Sequence, residues 1–222
     1  MAKILTKGDL ELGKTILECE RIHPVSEEKI FPKAVYWILS IGEKHEKQAI
    51  TYHTLEHLRL LSPEAVLDEN LLDEFSWAMK RIRFPNHKMK YIRGFSGYWL
   101  DSDIGEKIEE DASNGHLKGF ELREKLYHEA PGIGMKCASC LLNSCGYDDL
   151  VPIDLWVLRW LKENGYEVLV YDYKTNGGFD LKKYLPLERE ISDFAKKYNC
   201  PPAVFQAAIW GKSSDQSKYY LK

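Results

Sequence analysis

The 222-residue chain has no apolar run approaching the roughly 20 residues that span a bilayer. No membrane partner is therefore expected. Its opening, MAKILTKGDLELGK, lacks the uninterrupted apolar core of a signal peptide. The cytoplasm is the expected compartment, with the nucleoid as the site of action if the source is prokaryotic. Cysteine is scarce and odd in number: Cys19, Cys137, Cys140, Cys145 and Cys200. A secreted disulfide framework pairs its cysteines, so free thiols are the better expectation here. There is no low-complexity tract and no 20–50-residue repeat, which excludes a solenoid. A positive net charge is also missing. The formal value of −3 does not announce a nucleic-acid ligand, so the local distribution of charge has to decide.

What the chain has in quantity is helical periodicity. Apolar residues recur at three- and four-residue spacing over 8–22, 27–41, 46–61, 70–82, 87–100, 118–129, 135–144, 155–163, 184–198 and 202–211. Ser62-Pro63 reads as an N-cap followed by a first-turn proline, starting a short helix through Leu67. Asn86, after Pro85, is a candidate cap for the helix from His87. EVLVYDY at 167–173 is the one strand-like or extended segment. The expected fold class is mainly α.

Charge is unevenly spread. KRIRFPNHKMKYIR, 80–93, holds six Lys or Arg residues and no acid, whereas the acids gather in DSDIGEKIEED at 101–111. Such a basic run is ordinarily a solvated face, but it also suits phosphates. Arg83, Lys88 and Lys90 are the candidate contacts.

The stretch EAPGIGMKCASCLLNSCGYDDLVPIDLWVLRWLKE, 129–163, carries the chemistry. In PGIG, Gly132 and Gly134 let the backbone turn tightly and approach a ligand without a Cβ. The turn feeds a helix N-terminus, where unpaired N–H groups and the helix dipole favour an anion. A plain helix–helix connection reads the same way. Lys136 stands at the start of that helix, where the dipole opposes its protonation, and a neutral amine can attack carbon to form a Schiff base. Asp154, before LWVLRWL, is a good N-cap, and capping orients a carboxylate that can also stabilise a developing cation. Cys137-x2-Cys140-x4-Cys145 invites a metal reading, but zinc and iron–sulfur sites need four converging ligands. These three lie along one expected helix and lack a fourth, so buried thiols and no metal are expected.

PGIGMK followed 18 positions later by the Asp of VPID resembles the helix-hairpin-helix DNA glycosylase superfamily, specifically its bifunctional members. AVYWILSI is similar to the family's early buried helix, and RIRFPNHKMKYI to the segment before its hairpin. Within the superfamily the chain looks most like 8-oxoguanine DNA glycosylase/AP lyases. Cys140 matches a cysteine that lines the base pocket in the eukaryotic-type branch, and Asn86 an asparagine that faces the orphaned cytosine in that branch. FQAAIW matches a helix that supplies a glutamine, here Gln206, to read the flipped base and an aromatic residue, here Trp210, to stack on it. The eukaryotic-type branch begins with a β-sheet region that nothing here supplies, and Trp156 stands where that branch carries a histidine. The chain is thus closer to the compact archaeal and bacterial branch, in which a C-terminal lysine, here Lys222, helps recognise the base.

The resemblance implies two packed helical lobes with a cleft for DNA and the base between them. The central lobe would cover about 46–164, with the helix-hairpin-helix at 118–145, and the second lobe 1–45 with 165–222. It implies a monomer acting on damaged double-stranded DNA with no cofactor. Lys136 would form a Schiff base and Asp154 would assist. A glycosylase for another oxidised base, and a non-catalytic helix-hairpin-helix DNA-binding module, stay open as alternatives.

Overall fold

The structure, a computed structural model, describes residues 4–116, 118–167, 180–214 and 220. Among the described residues every regular element is helical. Twelve α-helices follow in order: α1 (Lys7–Glu20), α2 (Glu27–Leu39), α3 (His45–His57), α4 (Pro63–Leu67), α5 (Leu72–Met79), α6 (Pro85–Asp101), α7 (Ile104–Ser113), α8 (Gly119–Glu129), α9 (Met135–Ser144), α10 (Leu155–Glu163), α11 (Leu181–Lys197) and α12 (Pro202–Ser213). A 3₁₀ turn, Glu69–Leu71, precedes α5. Most of the expected strand-like segment at 167–173 lies outside the described residues.

Two units form. One comprises residues 22–141, the other residues 1–21 and 142–222. Residues 22–45 thus join the unit that holds the α8–α9 hairpin, and 142–164 join the other, a different division from the 46–164 lobe expected from the sequence.

In the 22–141 unit, α2 is the central helix. Ile30, Phe31, Ala34, Val35, Ile38 and Leu39 are all buried, and α2 packs against α3, α6 and α7. Phe31 stacks on Phe95 of α6 at 5.7 Å, and Trp99 closes the same cluster edge-on. Each such side chain contributes about 1.5–3 kcal/mol by leaving water. Helix α7 was not expected, because DSDIGEKIEED reads as an acidic surface cluster. Its only apolar signal is Ile104 and Ile108, one turn apart, and both are fully buried.

Helix α6 corrects two sequence expectations. Its N-cap is Phe84, an exposed residue in the left-handed region (φ 55°, ψ 48°); Pro85 occupies the first helical position and Asn86 the second. Proline's fixed φ and missing N–H suit that first position, which moves the helix start ahead of Asn86. Lys88, expected on the DNA-facing surface, is instead 1% exposed. It shares the stripe of Ile92, Phe95 and Trp99, all of which turn inward. Its Nζ donates to the Leu39 carbonyl at 2.8 Å, at the end of α2, and lies 4.0 Å from Glu43 Oε2. Glu43 in turn accepts from the backbone N–H groups of Arg83 at 2.5 Å and Lys44 at 2.9 Å. This buried cluster ties the α2–α3 turn to the entry of α6. Burial pushes Lys88 down to about 8, against the opposing pull of Glu43 and with help from Arg83. Burial alone would raise the Glu43 carboxyl, but those backbone N–H groups and Lys88 outweigh it and hold it below its usual range.

The α8–α9 hairpin rests on α6. Ala130 N–H bonds back to Leu126, and Ile133 N–H to Ala130, closing the turn. Arg123, fully buried on α8, donates to Ser139 Oγ of α9 at 3.3 Å, and that hydroxyl donates to the Met135 carbonyl at 2.9 Å. Gly132 has φ +78°, and a Cβ there would sit 2.4 Å from Tyr91 Cβ of α6. Gly134 is different: a Cβ there would meet nothing within 4 Å.

In the other unit, α1 and α12 pack closest. A Cβ on Gly13 would lie 2.5 Å from the Val204 carbonyl, so glycine sets this spacing. Thr6 and Asp9 form a reciprocal capping box at the start of α1, and Lys212 of α12 pairs with Asp9 at 2.8 Å. Trp160 of α10, Phe194 of α11 and Phe205 of α12 pack edge-to-face or stacked around one point.

Two outcomes are expected. Gly132→Ala costs more than about 2 kcal/mol in urea unfolding, from the left-handed backbone and the Tyr91 overlap together, whereas Gly134→Ala stays within about 0.5 kcal/mol. Lys88 supplies a pH signature. Because its folded-state value lies below the unfolded 10.5, the folded protein binds fewer protons between pH 8 and 10.5, and stability gains with rising pH there. Relative to Lys88→Met, the protein should gain up to about 3 kcal/mol across that window. Parallel pH curves for the two would contradict the burial of this ammonium.

Candidate active site

The hairpin turn delivers Lys136 at the second position of α9. Gly134 accepts the first helical hydrogen bond, from Ala138 N–H at 2.9 Å. Pro131 and Gly134 are exposed, Ile133 and Met135 are buried, and Lys136 is half-buried. Alternation of that kind pins the turn by its apolar side chains while leaving part of its backbone at the surface. Cys140 lies one turn beyond Lys136 on the same helix face and is 8% exposed. Asn143 follows on that face. It is buried, and neither of its amide atoms is hydrogen-bonded to a described residue. Cys137 is set differently. Its Sγ donates to the Trp37 carbonyl at 3.7 Å, and burial pushes its thiol up, so it stays protonated.

Asp154 caps α10. Its Oδ1 accepts from the N–H groups of Trp156 at 2.9 Å and Val157 at 3.0 Å, and the residue is 8% exposed. The preceding segment, Val151-Pro152-Ile153, is buried yet belongs to no helix. Buried backbone outside regular structure needs acceptors from elsewhere. Helix α11 supplies them. Glu188 accepts from Val151 N–H at 2.9 Å, and Tyr184 Oη accepts from Ile153 N–H at 2.9 Å while donating to the Val151 carbonyl at 2.7 Å. Neither residue was expected to matter from the sequence. The signal was available: Tyr184, Glu188, Ile191 and Ala195 form one buried stripe of α11, and a glutamate does not belong on such a stripe without a partner.

The remaining expected residues divide between the units. Arg83, Asn86 and Lys90 are exposed around the start of α6 in the 22–141 unit, which also holds half-buried Gly132 and exposed Gly134 of the hairpin; the Arg83 guanidinium reaches the Gly42 carbonyl at 3.4 Å. Lys88 is withdrawn from that surface by its burial. Gln206 (8% exposed) and Trp210 (half-buried) lie one turn apart on α12 in the other unit. Trp210 packs edge-on against Tyr220 at 5.8 Å. Trp156, in the first turn of α10, is covered by the Arg159 guanidinium at 4.8 Å. Lys222 lies outside the described residues.

Chemically, the chain thus has a half-buried lysine at one helix start and a buried carboxylate fixed at another. The first suits nucleophilic attack on carbon, the second the stabilisation of a nearby cation.

Comparison with known proteins gives this arrangement a relationship. A family model described as 8-oxoguanine DNA glycosylase matches residues 14–200. The 8-oxoguanine DNA glycosylase/AP lyase of Picrophilus torridus is 34% identical over 128 residues, 58% of this chain and 54% of the relative. The chain therefore aligns with only about half the length of that relative. The protein of the same name from Methanocaldococcus jannaschii is 36% identical over 199 residues, 90% of this chain and 87% of the relative. A crystal structure of the Methanocaldococcus jannaschii 8-oxoguanine glycosylase/lyase, in complex with DNA containing 8-oxoguanine, superposes with a TM-score of 0.69 at 22% identity, over 98% of this chain and 94% of that one. That likeness establishes the shared all-helical fold. With the family model spanning the hairpin, Lys136 and Asp154 together, the chain belongs to the 8-oxoguanine DNA glycosylase family.

Proposed function

We propose that the protein excises 8-oxoguanine from duplex DNA and then nicks the strand at the abasic site. The observation that carries this reading is the pairing, within the matched region, of a glycine turn opening onto Lys136 with a buried, helix-capping Asp154. The relatives' names and the lesion-bearing DNA in the related crystal structure support the substrate.

On this reading the 131–134 turn grips a DNA phosphate. Gly134 has open space where a side chain would stand, so phosphate oxygens can approach the N–H groups of the first turn of α9. Arg83 and Lys90 add charge along the backbone, and Asn86 faces the base left without its partner. The lesion is extruded at a cost of a few kcal/mol, which a damaged pair lowers. Cys140 lines its pocket, Gln206 reads its edge through an amide that both donates and accepts, and Trp210 stacks on it. Lys222 is the further pocket residue that the family resemblance suggests.

Chemistry follows from the two helix starts. As the C1′–N9 bond breaks, its electron pair leaves with the base, which takes up a proton. Asp154, aimed by two backbone N–H groups, stabilises the positive charge growing on the sugar. Lys136 Nζ bonds to C1′ and loses its proton, and opening of the sugar at O4′ gives the imine. Removal of a C2′ proton then expels the 3′ phosphate. The same reading has one copy of the chain acting on one lesion, in the compartment that holds the DNA.

Borohydride reduction on a duplex containing 8-oxoguanine tests this directly. A covalent protein–DNA adduct is expected, and it should vanish in Lys136→Gln. Trapping on thymine glycol but not on 8-oxoguanine would move the substrate to an oxidised pyrimidine. No adduct and no base release on any lesion would leave a DNA-binding module. The phosphate grip has its own check. Gly134→Ala should weaken duplex binding roughly tenfold, the equivalent of about 1.4 kcal/mol of lost backbone contact, with its unfolding curve unchanged.

A further inference from the structure

The segment leading into Asp154 is held by side chains rather than by a ladder, and that arrangement identifies residues on which the reaction depends without their touching DNA. We propose that Tyr184 and Glu188 of α11 are positioning residues for Asp154, fixing the Val151–Ile153 segment and through it the direction of the carboxylate.

The hydrogen-bond accounting is complete for the donors. Val151 N–H goes to Glu188, Pro152 has no N–H, and Ile153 N–H goes to Tyr184. Every backbone donor between 151 and 153 therefore ends on a side chain of one helix. Both anchors are buried, Tyr184 at 1% and Glu188 at 4% exposure, so water does not compete for their oxygens. They lie one turn apart on α11, which sets them at the two ends of a three-residue stretch. The tyrosine hydroxyl is used twice, donating to the Val151 carbonyl and accepting from Ile153 N–H, so it brackets Pro152 from both sides. Asp154 follows directly, and its Oδ1 is committed to the first turn of α10. The carboxylate is thus located by α10 on one side and by α11 on the other. A catalytic carboxylate has to be held to within a fraction of an ångström, and displacements near 1 Å can cost on the order of a hundredfold in rate. The two anchors supply that tolerance from a helix that carries none of the expected site residues.

This inference rests on the proposed role of Asp154, and the experiment separates the two. Tyr184→Phe removes only the hydroxyl and keeps the buried ring. Glu188→Gln keeps an acceptor for Val151 N–H, and Glu188→Leu removes it. Ile191→Val, on the same buried stripe, is the control for general loosening of α11. Single-turnover excision of 8-oxoguanine, duplex affinity and urea stability are measured for each, with Asp154→Asn alongside. Tyr184→Phe and Glu188→Leu should slow excision roughly 10- to 100-fold with affinity changed less than about threefold. Glu188→Gln should stay close to the parent rate, and Ile191→Val should lose stability without losing rate. If Tyr184→Phe slows excision no more than Ile191→Val does, the anchors are merely structural and the inference is wrong. If Asp154→Asn itself retains full excision, the reading of Asp154 fails instead, whatever the α11 variants do.

Discussion

A backbone N–H removed from water must find an acceptor, and an acceptor so placed becomes a fixed point. The two segments that lead to Lys136 and Asp154 both leave helical structure, the first partly and the second wholly buried, and both are governed by this requirement. At the hairpin the hydrogen-bond partners are local: the turn closes on Ala130 and Leu126, and Gly132 lets it lie against Tyr91. Before α10 they are distant in sequence, on Tyr184 and Glu188. The first solution can be carried by a short motif. The second needs a folded unit, since its donors and acceptors are more than thirty residues apart.

That difference explains what could be read in advance. Lys136 and Asp154 stand beside turn and cap signals that act over a few residues, and Asp154 does cap α10 through two N–H groups. The Ser62–Pro63 start of α4 was legible for the same reason. Lys88 leaves the surface that the basic run implies because its helical position outweighs its charge. The i, i+4, i+7 series of Lys88, Ile92 and Phe95 put it on the buried stripe, and charge distracted from period. Asn86 lost its place as a cap to the proline before it, whose preference for the first helical position is the stronger local rule. Helix α7 hid beneath its own acids. For Tyr184 and Glu188 only half the signal is local: a glutamate on the apolar stripe of α11 implies a partner, but nothing near it in sequence says that the partner is the 151–153 segment.

Four buried polar side chains are each held by a defined protein partner. Lys88 meets a helix-terminal carbonyl, Arg123 a serine hydroxyl, Glu188 an amide and Tyr184 both an amide and a carbonyl. Lys88, Glu188 and Tyr184 make their contacts where helices end or chain segments leave them, whereas Arg123 joins α8 to α9 at mid-helix. Apolar packing supplies most of the stabilisation, but it does not choose the angle of a turn. The buried polar contacts make that choice, at the α2–α3 turn as at the segment before Asp154.

The Asp154 cap has a consequence for how such a protein can drift. Asparagine and serine cap helices about as well as aspartate does. A descendant carrying Asp154→Asn would keep the α10 cap and keep the 151–153 segment on α11. Selection for a stable chain is therefore blind at this position, and only selection for repair can see it. Silent members of the lineage would be recognised by an intact scaffold around a single exchanged oxygen.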